Sequence, residues 1–169
     1  MPKLIKNREL TADSWLLLEG DLATAVPAGD VIVPLAVWLE QRAALAGRDG
    51  RTGVWLAPHE DPAALAGDLD RLPLVAVSFP KFSDGRGFST ARLLRERYRF
   101  KGELRAVGDV LRDQLLFLAR CGFDAFALRD DQDAQAALAA FDDFTEAYQG
   151  GVDQPAPLFR RRLAAGSSR

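Results

Sequence analysis

The stretch KFSDGRGFST, residues 81–90, gathers the side chains of this chain that are best placed by type and spacing to do chemistry. Lys81 and Arg86 supply positive charge, and Asp84 supplies a carboxylate between them. Gly85 and Gly87 bracket Arg86 and would let backbone N–H groups approach a ligand closely. A helix predicted to start near Ser89 would add a terminus that favours anions. Sulfite, sulfate or a phosphate group would suit such a loop. A tight turn followed by a helix cap explains the same residues without any ligand. Gly-x-Gly lacks the third glycine of the dinucleotide fingerprint, and the Lys-Ser/Thr ending of a P-loop is absent.

Further along, Asp109, Arg112 and Asp113 follow the apolar run GELRAVG, which itself carries Arg105. Asp109 stands where a helix N-cap is needed. Asp113 lies one turn later, and two carboxylates at that spacing repel unless a cation lies near. Arg112 or Arg105 could neutralise them. The candidate ligand-binding set is therefore Lys81, Asp84, Arg86, Ser89, Arg105, Asp109, Arg112 and Asp113.

What must position them is an alternation of short apolar runs and helical patterns from Thr52 onward. GVWLAP leads into DPAALAGDLDRL, with Asp61 as N-cap and Pro62 in the first turn. LVAVSFP leads into STARLLRERY, with Ser89 as cap. GELRAVG leads into a helix over 110–121, capped by Asp109, with Leu111, Leu115 and Leu118 on its inner stripe and Val110, Phe117 and Cys121 widening it. FDAFAL leads into the alanine-rich DAQAALAAFDDFTEAYQ. The reading is an α/β chain with a mainly parallel sheet of about four βα units over residues 51–149. An open sheet is preferred, with a half-barrel as the alternative, and GELRAVG is placed towards an edge. In open parallel sheets ligands bind beyond the carboxyl ends of the strands, where all the candidates except Arg105 would share one rim.

Residues 1–50 are read as an irregular region in which KLIK and WLLLE form strands around a polar turn, followed by VIVP and a helix ending at Gly47. Together with 51–155 they make one domain. Residues 156–169 are an extended basic arm, with Arg160, Arg161 and Arg162 available to an acidic partner and Leu158 and Phe159 available for docking or dimerisation. The cluster Arg92, Arg95, Glu96, Arg97, Arg99 and Lys101 is a solvated helix face that also makes a second basic surface.

Composition removes several function classes. The 169 residues carry a formal net charge of −2, which argues against nucleic-acid binding. The start MPKLIKNREL has no hydrophobic core region, and no apolar run is long enough to span a bilayer, so a cytoplasmic protein is expected. A single cysteine, Cys121, supports neither a disulfide nor a multi-cysteine metal cluster, and is read as a buried, inert thiol. His59 alone gives no histidine-rich metal site and no Ser-His-Asp triad. No cofactor is evident, so redox chemistry would need a borrowed one.

The run FPKFSDGRGFSTARLLRERYRFKGELRAVGDVLRDQLLFLARCGFDAF, residues 79–126, resembles a bacterial family of unknown function. Its members carry the description of oxidoreductases of sulfite reduction. Their genes sit beside those for the sulfite reductase haemoprotein and the adenylylsulfate or phosphoadenylylsulfate reductase. The resemblance extends over most of the chain, including the ending AYQ…PLFRRR. It implies a pathway, assimilatory sulfate reduction and cysteine synthesis, with sulfite reductase or another enzyme of that route as partner. It brings no catalytic residues with it; of the candidates, all but Ser89 are counted as falling on the signature and able to work there. The expected function is an accessory protein that binds a sulfur oxyanion, a phosphorylated ligand or a reductase subunit. The alternative is a small-molecule α/β enzyme acting at the rim.

Overall fold

The computed structural model describes residues 3–20 and 26–166. The chain begins with a hairpin, β1 (Lys3–Lys6) and β2 (Glu9–Ala12), which turns at Asn7 and Arg8, both with left-handed backbone. Then come β3 (Leu16–Leu17), β4 (Val31–Pro34), helix α1 (Leu35–Ala46), β5 (Thr52–Leu56) and β6 (Leu74–Phe79). These are followed by α2 (Arg86–Arg92), β7 (Glu103–Gly108), α3 (Leu115–Arg120), β8 (Ala125–Phe126), α4 (Ala134–Ala137) and α5 (Leu158–Gly166).

The eight strands form one sheet, ordered β2-β1-β8-β7-β6-β5-β4-β3, bent into a half-barrel. The sheet is mixed, which corrects the expectation of a mainly parallel one. Strands β3 to β8 pair in parallel, each beside its neighbour in sequence, but β1 pairs antiparallel with both β2 and β8. The physical reason is the hairpin: once β1 docks on β8, its tight turn forces β2 to run back along it. WLLLE is therefore not β1's hairpin partner. It contributes β3, parallel to β4 at the far edge.

Because β3 to β8 never reverse their order, right-handed crossovers carry the connecting helices to one face. The core shows this directly. Val54, Val75, Val77, Phe79, Leu104 and Ala106 pack with residues of α1, α2, α3 and α4 in one cluster. Ile32, Leu74, Ala76 and Val107 form another with Trp15, Leu17 and Trp55, and no helix residue among those described contributes to it. The second cluster lines the concave face. Among the described residues the order of β3 to β8 does not reverse, so this part of the sheet has no topological switch point.

Four local expectations change. DPAALAGDLDRL is not a long helix: Asp61 caps it as expected, accepting from the Ala63 N–H, but only Pro62–Leu65 coils, as a 3-10 turn. Gly67 breaks the run, and Asp68 turns inward to bond Trp38 instead. The helix expected over 110–121 begins as a 3-10 turn at Arg112–Gln114, and α3 occupies only Leu115–Arg120. Leu115 and Leu118 are buried as predicted, but Phe117 is 55% exposed and stacks on Phe88. The alanine-rich segment gives only α4 and a 3-10 continuation to Asp142, since Asp142 and Asp143 oppose the helix dipole at a C-terminal end. The C-terminal arm is not extended. Pro157 sets the first turn of α5, its carbonyl accepting from the Arg160 and Arg161 N–H groups, and Leu, Arg and Ala sustain the helix.

Candidate functional site

The loop after β6 packs tightly for structural reasons. A Cβ at Gly87 would lie 2.6 Å from the Phe79 ring and 3.1 Å from Val77, so this glycine lets α2 settle on the core. Gly108 has φ +97°, and a Cβ there would meet the Phe79 carbonyl oxygen at 2.5 Å. The Asp109 N–H then donates to that oxygen at 2.7 Å. Both glycines serve the close approach of backbone and core. Helix α2 starts at Arg86 with Gly85 as its N-cap, which corrects Ser89: it is an exposed residue inside the helix.

The carboxyl rim does bring Lys81, Asp84, Arg86, Asp109 and Arg112 into neighbouring loops, together with Arg129 and Asp131 after β8. Asp109 is not the cap of the following helix. Its Oδ2 accepts from the Phe82 N–H at 2.8 Å and its Oδ1 from Arg129 at 2.6 Å, tying three loops together. The cap falls instead to the backbone of Leu111, whose N–H donates to the Gln114 side chain. Arg86 forks onto Asp84 through Nε (2.9 Å) and Nη2 (2.7 Å), and this holds the Asp84 carboxyl down at about 2. Arg129 grips Asp131 in the same manner, with the same consequence for that carboxyl. Arg112 pairs with Asp143 at 3.2 Å. Lys81 and Asp113 are exposed and have no ion-pair partner among the described residues.

Arg105 is elsewhere. GELRAVG is not an edge strand: β7 lies between β6 and β8, and its alternate residues Glu103, Arg105 and Val107 face the concave side. Arg105 is 2% exposed. Its Nε donates to Glu103 Oε1 at 2.7 Å and its Nη1 to Asp13 Oδ2 at 2.8 Å, while Lys6 Nζ reaches Glu103 Oε2 at 2.7 Å. Two cations and two carboxylates thus form a charge-balanced chain beneath the segment that holds Trp15. They line a cleft of about 380 Å3 at the amino-terminal ends of β5 to β8, bordered also by Arg51 and Lys101. Arg51 is itself fixed, bonded twice to Asp30 and stacked on Trp15 at 4.8 Å. Asp13, Lys6 and Glu103 were not legible as site residues, although Glu103 and Arg105 two apart on one strand do signal charge on a single face.

The basic cluster also divides. Arg95 is anchored to the carbonyls of Phe100, Gly102 and Gly122 and to Asp124, so it holds structure together. Arg92 pairs with Glu96, while Arg97, Arg99 and Lys101 are exposed. Cys121 is buried, and burial pushes its thiol above the ordinary range. Among the described residues no group of three or more His, Cys, Asp or Glu is placed to hold a metal ion, and no helix is long and apolar enough to cross a membrane.

A family model described as bacterial protein of unknown function (DUF934) matches residues 53–159. The chain belongs to that family. The matched span runs from β5 into the start of α5 and contains all eight candidate residues, whereas Lys6, Asp13 and Thr52 precede it. No curated protein matches the chain.

Proposed function

We propose that this member of the family is a cytoplasmic accessory protein of assimilatory sulfite reduction, in the service of cysteine synthesis, which works by docking on sulfite reductase or another enzyme of that route. The pathway rests on the resemblance carried by residues 79–126. The observation behind docking rather than catalysis is the pairing of charge at the carboxyl rim. Asp84, Asp109 and Asp131 are each occupied by arginine, and two of them are held at about 2, so they are not poised to exchange protons near neutral pH. The same pairing weakens the rim as a trap for a sulfur oxyanion or phosphorylated ligand, because Arg86, Arg112 and Arg129 would have to release their partners. By contrast Arg97, Arg99, Lys101, Arg160 and Arg162 are exposed, and no carboxylate among the described residues pairs with them. Phe159, half exposed on α5, adds apolar surface beside these arginines for a partner or a second copy of the chain.

The alternative, a small-molecule α/β enzyme with a borrowed cofactor, has Lys81 in its favour as an uncommitted cation at the rim. Mixing the purified chain with sulfite reductase and following co-elution and sulfite turnover separates the two. Docking predicts a complex that Arg97→Glu/Lys101→Glu or Arg160→Glu/Arg162→Glu weakens and Lys81→Ala leaves intact. Separate elution with unchanged turnover sinks it.

A further inference from the structure

The strands β2 and β3 stand at opposite edges of the sheet, yet only Asp13, Ser14 and Trp15 join them. So short a link requires the sheet to curl. The link forms one wall of the cleft of about 380 Å3 at the amino-terminal ends of β5 to β8. Within that cleft the hydrogen-bond acceptors are spent and the donors are not. Three carboxylates line it, and each of their oxygens already accepts a bond. Asp13 takes the Trp15 N–H and Arg105, and Glu103 takes Arg105 and Lys6. Asp124 takes the Leu104 N–H and Arg95. Of the cations, Lys101 is exposed and makes no hydrogen bond or ion pair among the described residues. Lys6 spends a single N–H on Glu103. Arg51 bonds Asp30 through Nε and Nη2 and leaves Nη1 without a partner among the described residues. Solvent reaches these groups, the Arg51 side chain being 60% exposed and that of Lys6 43%.

A ligand made of acceptors meets open donors here, whereas ligand donors would have to share oxygens already bonded. The three open cations come from three elements: Lys6 from β1, Arg51 from just before β5 and Lys101 from just before β7. Charge spread over separate walls favours an anion with more than one charge. We propose that this cleft binds a small multivalent oxyanion, such as a tricarboxylate or a phosphate, shared between Lys101, Arg51 and Lys6. Arg105, 2% exposed, is not a contact of the ligand; by fixing Asp13 and Glu103 it holds the shape of the cleft. The volume falls within the range of small-molecule sites, roughly 300–1,000 Å3. The site lies at the opposite strand ends from the rim. It shares Lys101 with the docking surface but does not depend on docking.

The test is a titration of the 15N-labelled full chain with citrate and with inorganic phosphate, against acetate and sodium chloride at matched ionic strength. The readouts are the indole N–H resonance of Trp15, which lines the cleft, and the melting temperature. Saturable movement of Trp15 by either multivalent anion, with a rising Tm and a still Trp38 on the other face of the sheet, is the expected result. Lys101→Gln, which breaks no pairing, and Arg51→Gln should each weaken that binding several-fold. A Trp15 resonance that no probe moves overturns the proposal, as does binding that both variants leave unchanged. An equal response to acetate or chloride would reduce the effect to ionic screening and overturn it too. So would binding lost in Lys81→Gln instead, which would put the anion at the rim.

Discussion

Asp84 and Asp131 show how single residues at the rim are committed. Each carboxylate is gripped through two nitrogens of an arginine two residues away, and each is held at about 2, below the ordinary 3.8. A carboxyl whose folded value is depressed adds stability above its unfolded value and loses it as pH falls through the folded one. The rim loops should therefore hold from neutrality down to about pH 4 and loosen between there and about pH 2. Carboxyl 13C shifts will follow both groups, and Arg86→Ala should return Asp84 alone to the ordinary range. Arg105 is committed more deeply. Its replacement by alanine leaves Glu103 and Asp13 buried with only Lys6 to compensate, and should cost about 3 kcal/mol in urea unfolding. A cost under about 1 kcal/mol would mean that water already screens the chain. Arg105 and Asp109 were both visible as charged residues at the ends or interior of a strand. Their pairings were not, because Asp13 and Arg129 are 92 and 20 residues away and only folding brings them into contact.

At the scale of elements, the strands from β5 to β7 were legible, and so was α1 with its stop at Gly47, but the later helices were read too long. GVWL, LVAVSF and ELRAVG are dense in β-branched and apolar residues, and they appear as β5, β6 and β7. The intervening helices came out short because side chains that look like caps or helix formers found better partners elsewhere. Asp109 bonds Phe82 and Arg129, and Asp68 bonds Trp38. Gly87 carries the element-scale prediction. Its close approach to Phe79 and Val77 lets α2 pack on β6, so Gly87→Ala should destabilise the fold by about 1–3 kcal/mol, measured by denaturant unfolding. Gly85 meets only the edge of Phe88 at 3.7 Å, so Gly85→Ala serves as the control that should change little. If the two behave alike, packing is not the reason for the second glycine.

For the whole molecule, function depends on which surfaces the half-barrel leaves open. One face of the sheet is sealed by helices, while the concave face is lined by Trp15, Leu17 and Trp55 and by the chain of Lys6, Glu103, Arg105 and Asp13. Helix α5 is fastened by Arg161, which bonds Glu146 and the carbonyls of Ala147 and Ala156, and by the Leu158 N–H on the Tyr148 carbonyl. Removing residues 158–169 should thus leave the melting temperature nearly unchanged while weakening the complex with sulfite reductase; an intact complex would exclude α5 as a docking element. The sequence by itself determined the α/β alternation, the parallel strands from β5 to β8, the buried Cys121 and the cluster of charge after β6, since each depends on local hydrophobic pattern or on burial of a single side chain. Only the tertiary structure decided that β1 and β2 would close the sheet antiparallel, that Arg105 would lie buried on the concave face, and that most of the rim's charges would neutralise one another. Those outcomes are set by pairings between residues far apart in the chain, and no local pattern encodes which distant carboxylate an arginine will meet.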